Sequence, residues 1–296
     1  MVRRSASVVR STVLEILSEP LTLLLLLTAL ALAVLAPAFH YHQFGEPTRM
    51  ARDAGLSALL TCGGLMAVLG VVRSFRREIE SGTMAMALVH PLSRAGFFLA
   101  KVLGAFAAYL FFATIVFFVL TTVVEGAAIG GALARKTGDL ARLWGPCLVA
   151  GVGVMVLPLA IGAVGNRFMR CRFVLTALVC ALVLSVLSGG TVAVFDGPRV
   201  LRLLPVALLI VTGSAVPLAA AAAFAVRLKA SAALAAVAVV VAAMLPAFGN
   251  YYLSDALSGG GSVSWRYTGL AVAAALPAIA LFLGLGAYLL DEKESV

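Results

Sequence analysis

Uninterrupted apolar runs of about 18 or more residues recur along the whole of this sequence, and that one feature excludes most folds. Residues 21–39 and 173–194, for example, contain no charged side chain. A helix of a soluble protein needs polar positions on its outer face. A segment surrounded by hydrocarbon needs none, and it satisfies its backbone internally as a helix. With 62% of residues hydrophobic and only 12% charged, the chain leaves no stretch for a separate soluble domain. The expected fold is an all-α polytopic membrane protein with about eight transmembrane helices, near residues 21–39, 54–72, 97–124, 145–164, 173–194, 203–226, 230–248 and 268–290. The alternative is six spans plus re-entrant pieces, with the sixth and seventh in question.

The formal net charge of +9 does not point to nucleic acid, because the basic residues stand at the ends of apolar runs. There they orient spans against anionic headgroups, so membrane lipid is the expected contact. With the N-terminus inside, the cytoplasmic pieces carry 14 of the 22 lysines and arginines, including Arg167, Arg170 and Arg172 in one short loop, and both termini are cytoplasmic. Residues 8–18 place Val9, Val13, Ile16 and Leu17 on one helical face, with Arg10 and Glu15 elsewhere, as suits an amphipathic helix in the membrane interface. Pro20 turns the chain into the first span. The start resembles a signal peptide, and Ala36-Pro37-Ala38 imitates a cleavage site. Glu15, Glu19 and an apolar run longer than a signal core of about 7–15 residues argue against cleavage.

Chemistry-bearing patterns are sparse. The pair His40 and His42 has one other histidine in the chain to join it, and reads as interfacial. The four cysteines, Cys62, Cys147, Cys171 and Cys180, lie in or beside apolar runs and form no CxxC pair. Gly130 to Thr137 nearly matches a phosphate loop, but Arg135 replaces the glycine that must approach phosphate and no strand precedes it, so a polar, partly helical outer loop is expected. Asp196-Gly197-Pro198 is expected to form a tight turn. The middles of the spans lack Asp, Glu, Lys, Arg and His, which argues against a proton-coupled pump, a membrane metalloprotease and a membrane enzyme of lipid metabolism. Ser185, Ser188 and Ser214 are expected to bond between helices. Gly151, Gly153, Gly162, Gly165 and Ala219–Ala223 are expected to let helices approach closely. No catalytic, metal-binding or cofactor-binding residue is expected in this chain.

The longest reach too polar to cross a bilayer, yet patterned as a helix, runs from Arg73 to Lys101. Five basic residues (Arg73, Arg76, Arg77, Arg94, Lys101) and two acids (Glu78, Glu80) bracket the apolar run Met84–Val89, and Pro91 stops the helix. A short helix at the cytoplasmic surface is expected, tied to a span on either side.

This segment resembles the coupling region of ABC-2 type transporter permeases, the membrane subunits of type-2 ABC exporters. The likeness rests on Glu78 and Glu80, then Gly82-Thr83, Met84–Val89, Pro91-Leu92-Ser93-Arg94, and Lys101 with Gly104. It extends upstream to the interfacial helix at 8–18, which is similar to the family's elbow helix, and fades beyond residue 124. The family usually has six spans. The resemblance implies a single permease domain over 1–296, with a coupling segment at 73–96 and no ATPase residues of its own. It implies a separate ABC ATP-binding subunit that carries ATP and Mg, a second permease copy or paralogue as dimer partner, and a prokaryotic cytoplasmic membrane. It implies export of an apolar or amphipathic substrate, and contact with the ATP-binding subunit through Glu78, Glu80, Gly82, Thr83, Met84, Leu88, Val89, Pro91, Ser93 and Arg94. In that role Met84, Leu88 and Val89 fill a groove while Glu78, Glu80 and Arg94 fix register at its rim. The alternatives are a haem-exporter-type permease of cytochrome c maturation, and a non-transporting membrane scaffold or sensor that recruits a cytoplasmic partner.

Overall fold

Proline and small residues mark where the helices begin. Pro20 opens α2 (Pro20–Leu35), Pro47 opens α3 (Pro47–Ala58), and Gly145-Pro146 opens α6 (Gly145–Met169). A first-turn amide has no intrahelical acceptor, so proline's missing N–H costs nothing there and its fixed φ suits the helix. The computed structural model describes residues 2–35, 47–81, 93–137, 145–170, 172–195, 197–252 and 263–293. The Ala36–Ala38 cleavage-site likeness, His40, His42 and Asp196 lie outside them.

The remaining elements follow in order. Helix α1 (Val2–Ser18) precedes α2, and a π-helical turn at Leu59–Gly63 joins α3 to α4 (Gly64–Glu80). Then come α5 (Arg94–Thr137), α7 (Phe173–Phe195), which follows α6, α8 (Gly197–Arg227), α9 (Ala230–Tyr252) and α10 (Trp265–Lys293). All described elements are helical, as expected. Leu24, Leu65, Leu103, Leu187, Leu270 and Leu281 are all more than half exposed. Such an apolar exterior is incompatible with water as the surrounding solvent and fits a bilayer.

Every expected span is helical where it is described. Among the described residues five helices are long and apolar enough to cross alone: Ala51–Glu80, Arg94–Ile129, Phe173–Val192, Leu203–Arg227 and Trp265–Glu292. Ser5–Ser18 and Pro20–Leu35 qualify only as a broken pair, which makes six. The expected fourth and seventh spans fall in α6, of 25 residues, and α9, of 23 residues.

Arg73–Glu80 completes α4, since neither glycine nor proline interrupts the chain between Gly70 and Gly82, and the short surface helix expected around Met84–Val89 lies outside the described residues. Two local expectations are corrected. The near phosphate loop is not a loop, because α5 continues as helix through Gly130 and Gly131 to Thr137. The alanines and leucine around those glycines are strong helix formers, and they outweigh about 1 kcal/mol per glycine. Gly197-Pro198 is the first turn of α8 rather than part of a tight turn.

Contacts divide the chain into two units, each drawing on α5 and α8. The first is Met1–Ile16, Gly64–Leu110 and Val211–Val296. Within it α4 packs against α9, and Ile16 of α1 lies over Gly70 of α4, its Cγ2 3.0 Å from where a Cβ would stand. Phe224 of α8 meets Phe282 of α10 edge-on at 6.0 Å, and Ala220 to Ala223 are wholly buried. Ser214 lies against the Tyr109 hydroxyl of α5, without an aligned hydrogen bond.

The second unit is Leu17–Gly63 and Phe111–Ile210. Here α2 packs on α3 and α6, and α6 packs on α7. Gly162 and Gly165 face α7, as close-approach glycines should, whereas Gly153 faces open space. Ser185 bonds back to Leu182 of its own helix rather than across helices. Ser188 does meet a neighbour, accepting from Thr122 at 3.4 Å.

Candidate functional site

The polar groups of the first unit gather where α4 ends and α5 begins. Helix α4 closes with the Ser81 amide bonded to the Arg77 carbonyl at 3.0 Å. Ser93 is the N-cap of α5: its hydroxyl accepts from the Gly96 amide at 3.2 Å, and its carbonyl accepts from the Phe97 amide at 2.9 Å. A capping hydroxyl satisfies one of the amides that a helix start leaves without an acceptor.

Two turns into α5 stands a lysine with no contact with solvent. The buried stripe of this helix reads Phe98, Lys101, Ala105, Ala108, Tyr109 and Phe112, at helical spacing, with Lys101 the only charge in it. The Lys101 side chain is 0% exposed and its Nζ lies 2.5 Å from Glu78 Oε2. It donates to the Ser74 carbonyl at 3.0 Å, and it lies 5.1 Å from the centroid of the Phe75 ring. Ser74, Phe75 and Glu78 share one face of α4, being three and four residues apart. An ammonium taken out of water costs several kcal/mol, about, unless paired and hydrogen-bonded, and here α4 supplies the anion, the acceptor and the aromatic face together.

The elbow helix joins the same cluster. The Ser74 hydroxyl donates to Glu15 Oε2 at 2.9 Å, and Arg77 reaches the other oxygen of that carboxylate at 4.0 Å. A Cβ on Gly104 of α5 would stand 2.7 Å from Thr12 Cβ and 2.9 Å from the Val9 carbonyl oxygen, so α1 and α5 touch almost backbone to backbone. Phe75 and Phe98 fill the space beside the ion pair, with ring centroids 5.5 Å apart.

A more exposed ring of charge surrounds this centre. Arg76 pairs with Glu80 at 3.0 Å along α4, and it also donates to the Leu228 carbonyl at 3.5 Å. Arg94, the first residue of α5, donates to both the carboxylate and the carbonyl oxygen of Asp291, at 3.2 and 3.1 Å. Arg227 at the end of α8 pairs with Glu292. The C-terminal ends of α4, α8 and α10 therefore meet the start of α5 at one end of this unit.

Four of the ten residues expected to contact a partner fall in the described part. Glu78 turns inward to Lys101 and keeps 29% of its side chain exposed; Glu80 points outward at 67%. Ser93 spends its hydroxyl on the helix cap, and Arg94 is held by Asp291. Gly82, Thr83, Met84, Leu88, Val89 and Pro91 lie outside the described residues. The sequence reading did not single out the Lys101–Glu78 pair, nor the part Glu15 and Ser74 play beside it. A signal existed: Lys101 occupies a position of the α5 stripe that is otherwise apolar, and an acid stands at the right helical phase on the preceding segment.

The profile of a family described as ABC-2 family transporter protein matches residues 10–172. That is more than half of the 296 residues, and it takes in Glu15, Ser74, Glu78 and Lys101. No curated protein and no solved structure gives a match.

Proposed function

The chain belongs to the ABC-2 transporter family and is a multi-pass membrane permease of an ABC transporter, and we propose that it serves an exporter driven by ATP hydrolysis in a separate nucleotide-binding subunit. In this reading residues 78–94 form the contact. Met84, Leu88 and Val89 dock in a groove of the ATP-binding subunit, the helix-in-groove mode. Closure of two such subunits on ATP and Mg pushes the segment, and α4 and α5 carry the push into the membrane. The permease works as a dimer with itself or a paralogue, in a prokaryotic cytoplasmic membrane with both termini inside. Its passenger is apolar or amphipathic, in keeping with spans whose middles carry no Asp, Glu, Lys, Arg or His.

The observation that carries this reading is the convergence of two ends. The last turn of α4 and the first turns of α5, which bracket the 82–92 segment, are bound to each other by Lys101 and Glu78. A segment whose two attachments are braced together transmits force, whereas a loosely hung loop absorbs it. In this reading Glu80 and Arg94, which keep solvent exposure beside their intrachain partners Arg76 and Asp291, set register against the ATP-binding subunit. Glu78 acts on that contact indirectly, through Lys101.

Co-purification tests the reading. An ATPase bound through Met84–Val89 supports the exporter; a partner that is not an ATPase supports the scaffold or sensor, and copurifying haem supports the cytochrome c maturation type. In the reconstituted complex, Gly82→Pro and Leu88→Asp are expected to abolish stimulation of ATP hydrolysis while the permease still inserts. Full stimulation in both variants rejects the coupling role.

A further inference from the structure

We propose that Lys101 is a positioning residue: with Glu78 it locks the end of α4 to the start of α5, and through Ser74 and Glu15 it brings α1 into the same block. The proposal rests on the reading above, in which 82–92 is the driven segment, and it names the part of the permease that makes the segment a lever.

Three observations carry it. First, Lys101 has no exposed side-chain surface, although a lysine near the end of a span has a four-carbon stem with which to reach the headgroups. Its ammonium is instead held inside by three groups of α4: Glu78, the Ser74 carbonyl and the Phe75 ring. Second, Ser74 faces two ways. Its carbonyl accepts from Lys101 and its hydroxyl donates to Glu15, so one residue of α4 touches both α5 and α1. Third, the packing beside the charges is close enough to define register: Ile16 rests on Gly70, and Thr12 and Val9 rest on Gly104. Gly70 stands four residues before Ser74, and Gly104 three residues after Lys101, so each close approach lies one helical turn from the polar group it supports.

An apolar residue at 101 preserves an insertable helix but removes the charged link between α5 and α4. Dispersion contacts permit sliding along a helix, whereas an ammonium gripped by a carboxylate and a carbonyl does not. Lys101 therefore makes α1, α4 and α5 respond to the segment together rather than one after another.

The test uses the full-length permease in lipid nanodiscs, with and without its ATP-binding subunit. Spin labels at Ala6 on α1, Arg73 on α4 and Leu103 on α5 report the three pairwise distance distributions. Lys101→Met is expected to broaden them at least twofold and to cut stimulation of ATP hydrolysis at least fivefold, while the bound subunit still copurifies within about twofold of the unaltered level. Lys101→Arg is expected to keep narrow distributions and at least half of the stimulation. Unbroadened distributions in Lys101→Met overturn the proposal whatever happens to hydrolysis. So do broadened ones with stimulation intact, and so does a Lys101→Arg variant as broad as Lys101→Met. Should Lys101→Met fail to insert, Glu78→Gln takes its place with the same criteria. Should no ATP-binding subunit associate even with the unaltered chain, the proposed function fails, and the distance distributions alone decide whether the lock exists.

Discussion

Gly104 and Thr12 lie so close that a methyl group added to the glycine would stand 2.7 Å from the threonine Cβ. The Val9 carbonyl oxygen, at 2.9 Å from the same point, is backbone and cannot swing away. Gly104→Ala therefore forces α1 off α5. The expected cost is about 1–3 kcal/mol, the usual range for overpacking, read as a lower midpoint of thermal unfolding in detergent. An unchanged midpoint contradicts the contact.

Neighbouring glycines on α7 offer a sharper comparison. A Cβ on Gly189 meets Phe118 at 2.7 Å from its carbonyl oxygen and 2.9 Å from its Cβ, whereas one on Gly190 meets nothing within 4 Å. Gly189→Ala is expected to destabilise by about 1–3 kcal/mol. Gly190→Ala is expected to be neutral or to gain about 0.5–1 kcal/mol, because alanine is the better helix former. The same assay on two adjacent positions cancels differences of expression and membrane depth, and equal effects refute the placement of this face.

The Lys101–Glu78 pair predicts an asymmetry between one change and two. Lys101→Met alone leaves a carboxylate facing an apolar site without its cation, a loss of about 3 kcal/mol or somewhat more, since Glu78 keeps partial access to water. Adding Glu78→Leu to Lys101→Met removes the stranded charge, so the double variant unfolds at a higher temperature than the single one. Additive losses reject the pairing.

The outer ion pairs behave differently. Arg94–Asp291 and Arg227–Glu292 are between about two-fifths and three-quarters exposed at each partner, where water and salt screen the attraction. Asp291→Asn and Glu292→Gln are each expected to change stability by less than about 1 kcal/mol, with the difference vanishing in 1 M salt, about one-third of the physiological Debye length. A larger, salt-independent loss identifies a role beyond the ion pair.

Much of this architecture was legible in the residues. Long apolar runs give helices because hydrocarbon leaves the backbone no other partner, and the stripe of Val9, Val13 and Ile16 marks α1 as one-sided. Gly162 announces the close approach of α7, where its Cβ would stand 3.1 Å from Ala177 Cβ and 3.2 Å from the Phe173 carbonyl oxygen. What was not legible depends on partners distant in sequence. Periodicity puts Lys101 on the buried face, but a lysine near a membrane edge ordinarily extends to water, and only Glu78, Ser74 and Phe75 on another helix hold it inside. Glu15 looked like part of the polar face because its acceptor role depends on Ser74, 59 residues away. The number of crossings was also not fixed by hydropathy. The π-helical turn at Leu59–Gly63 changes only which carbonyl each amide reaches, and leaves no trace in the apolar pattern.

Helix α5 is 44 residues long, which at 1.5 Å per residue makes a rod of about 66 Å, roughly twice the thickness of the hydrocarbon layer. Lys101 holds this helix two turns from its start, so under the coupling proposed above the lock sits at the end nearest the driven segment.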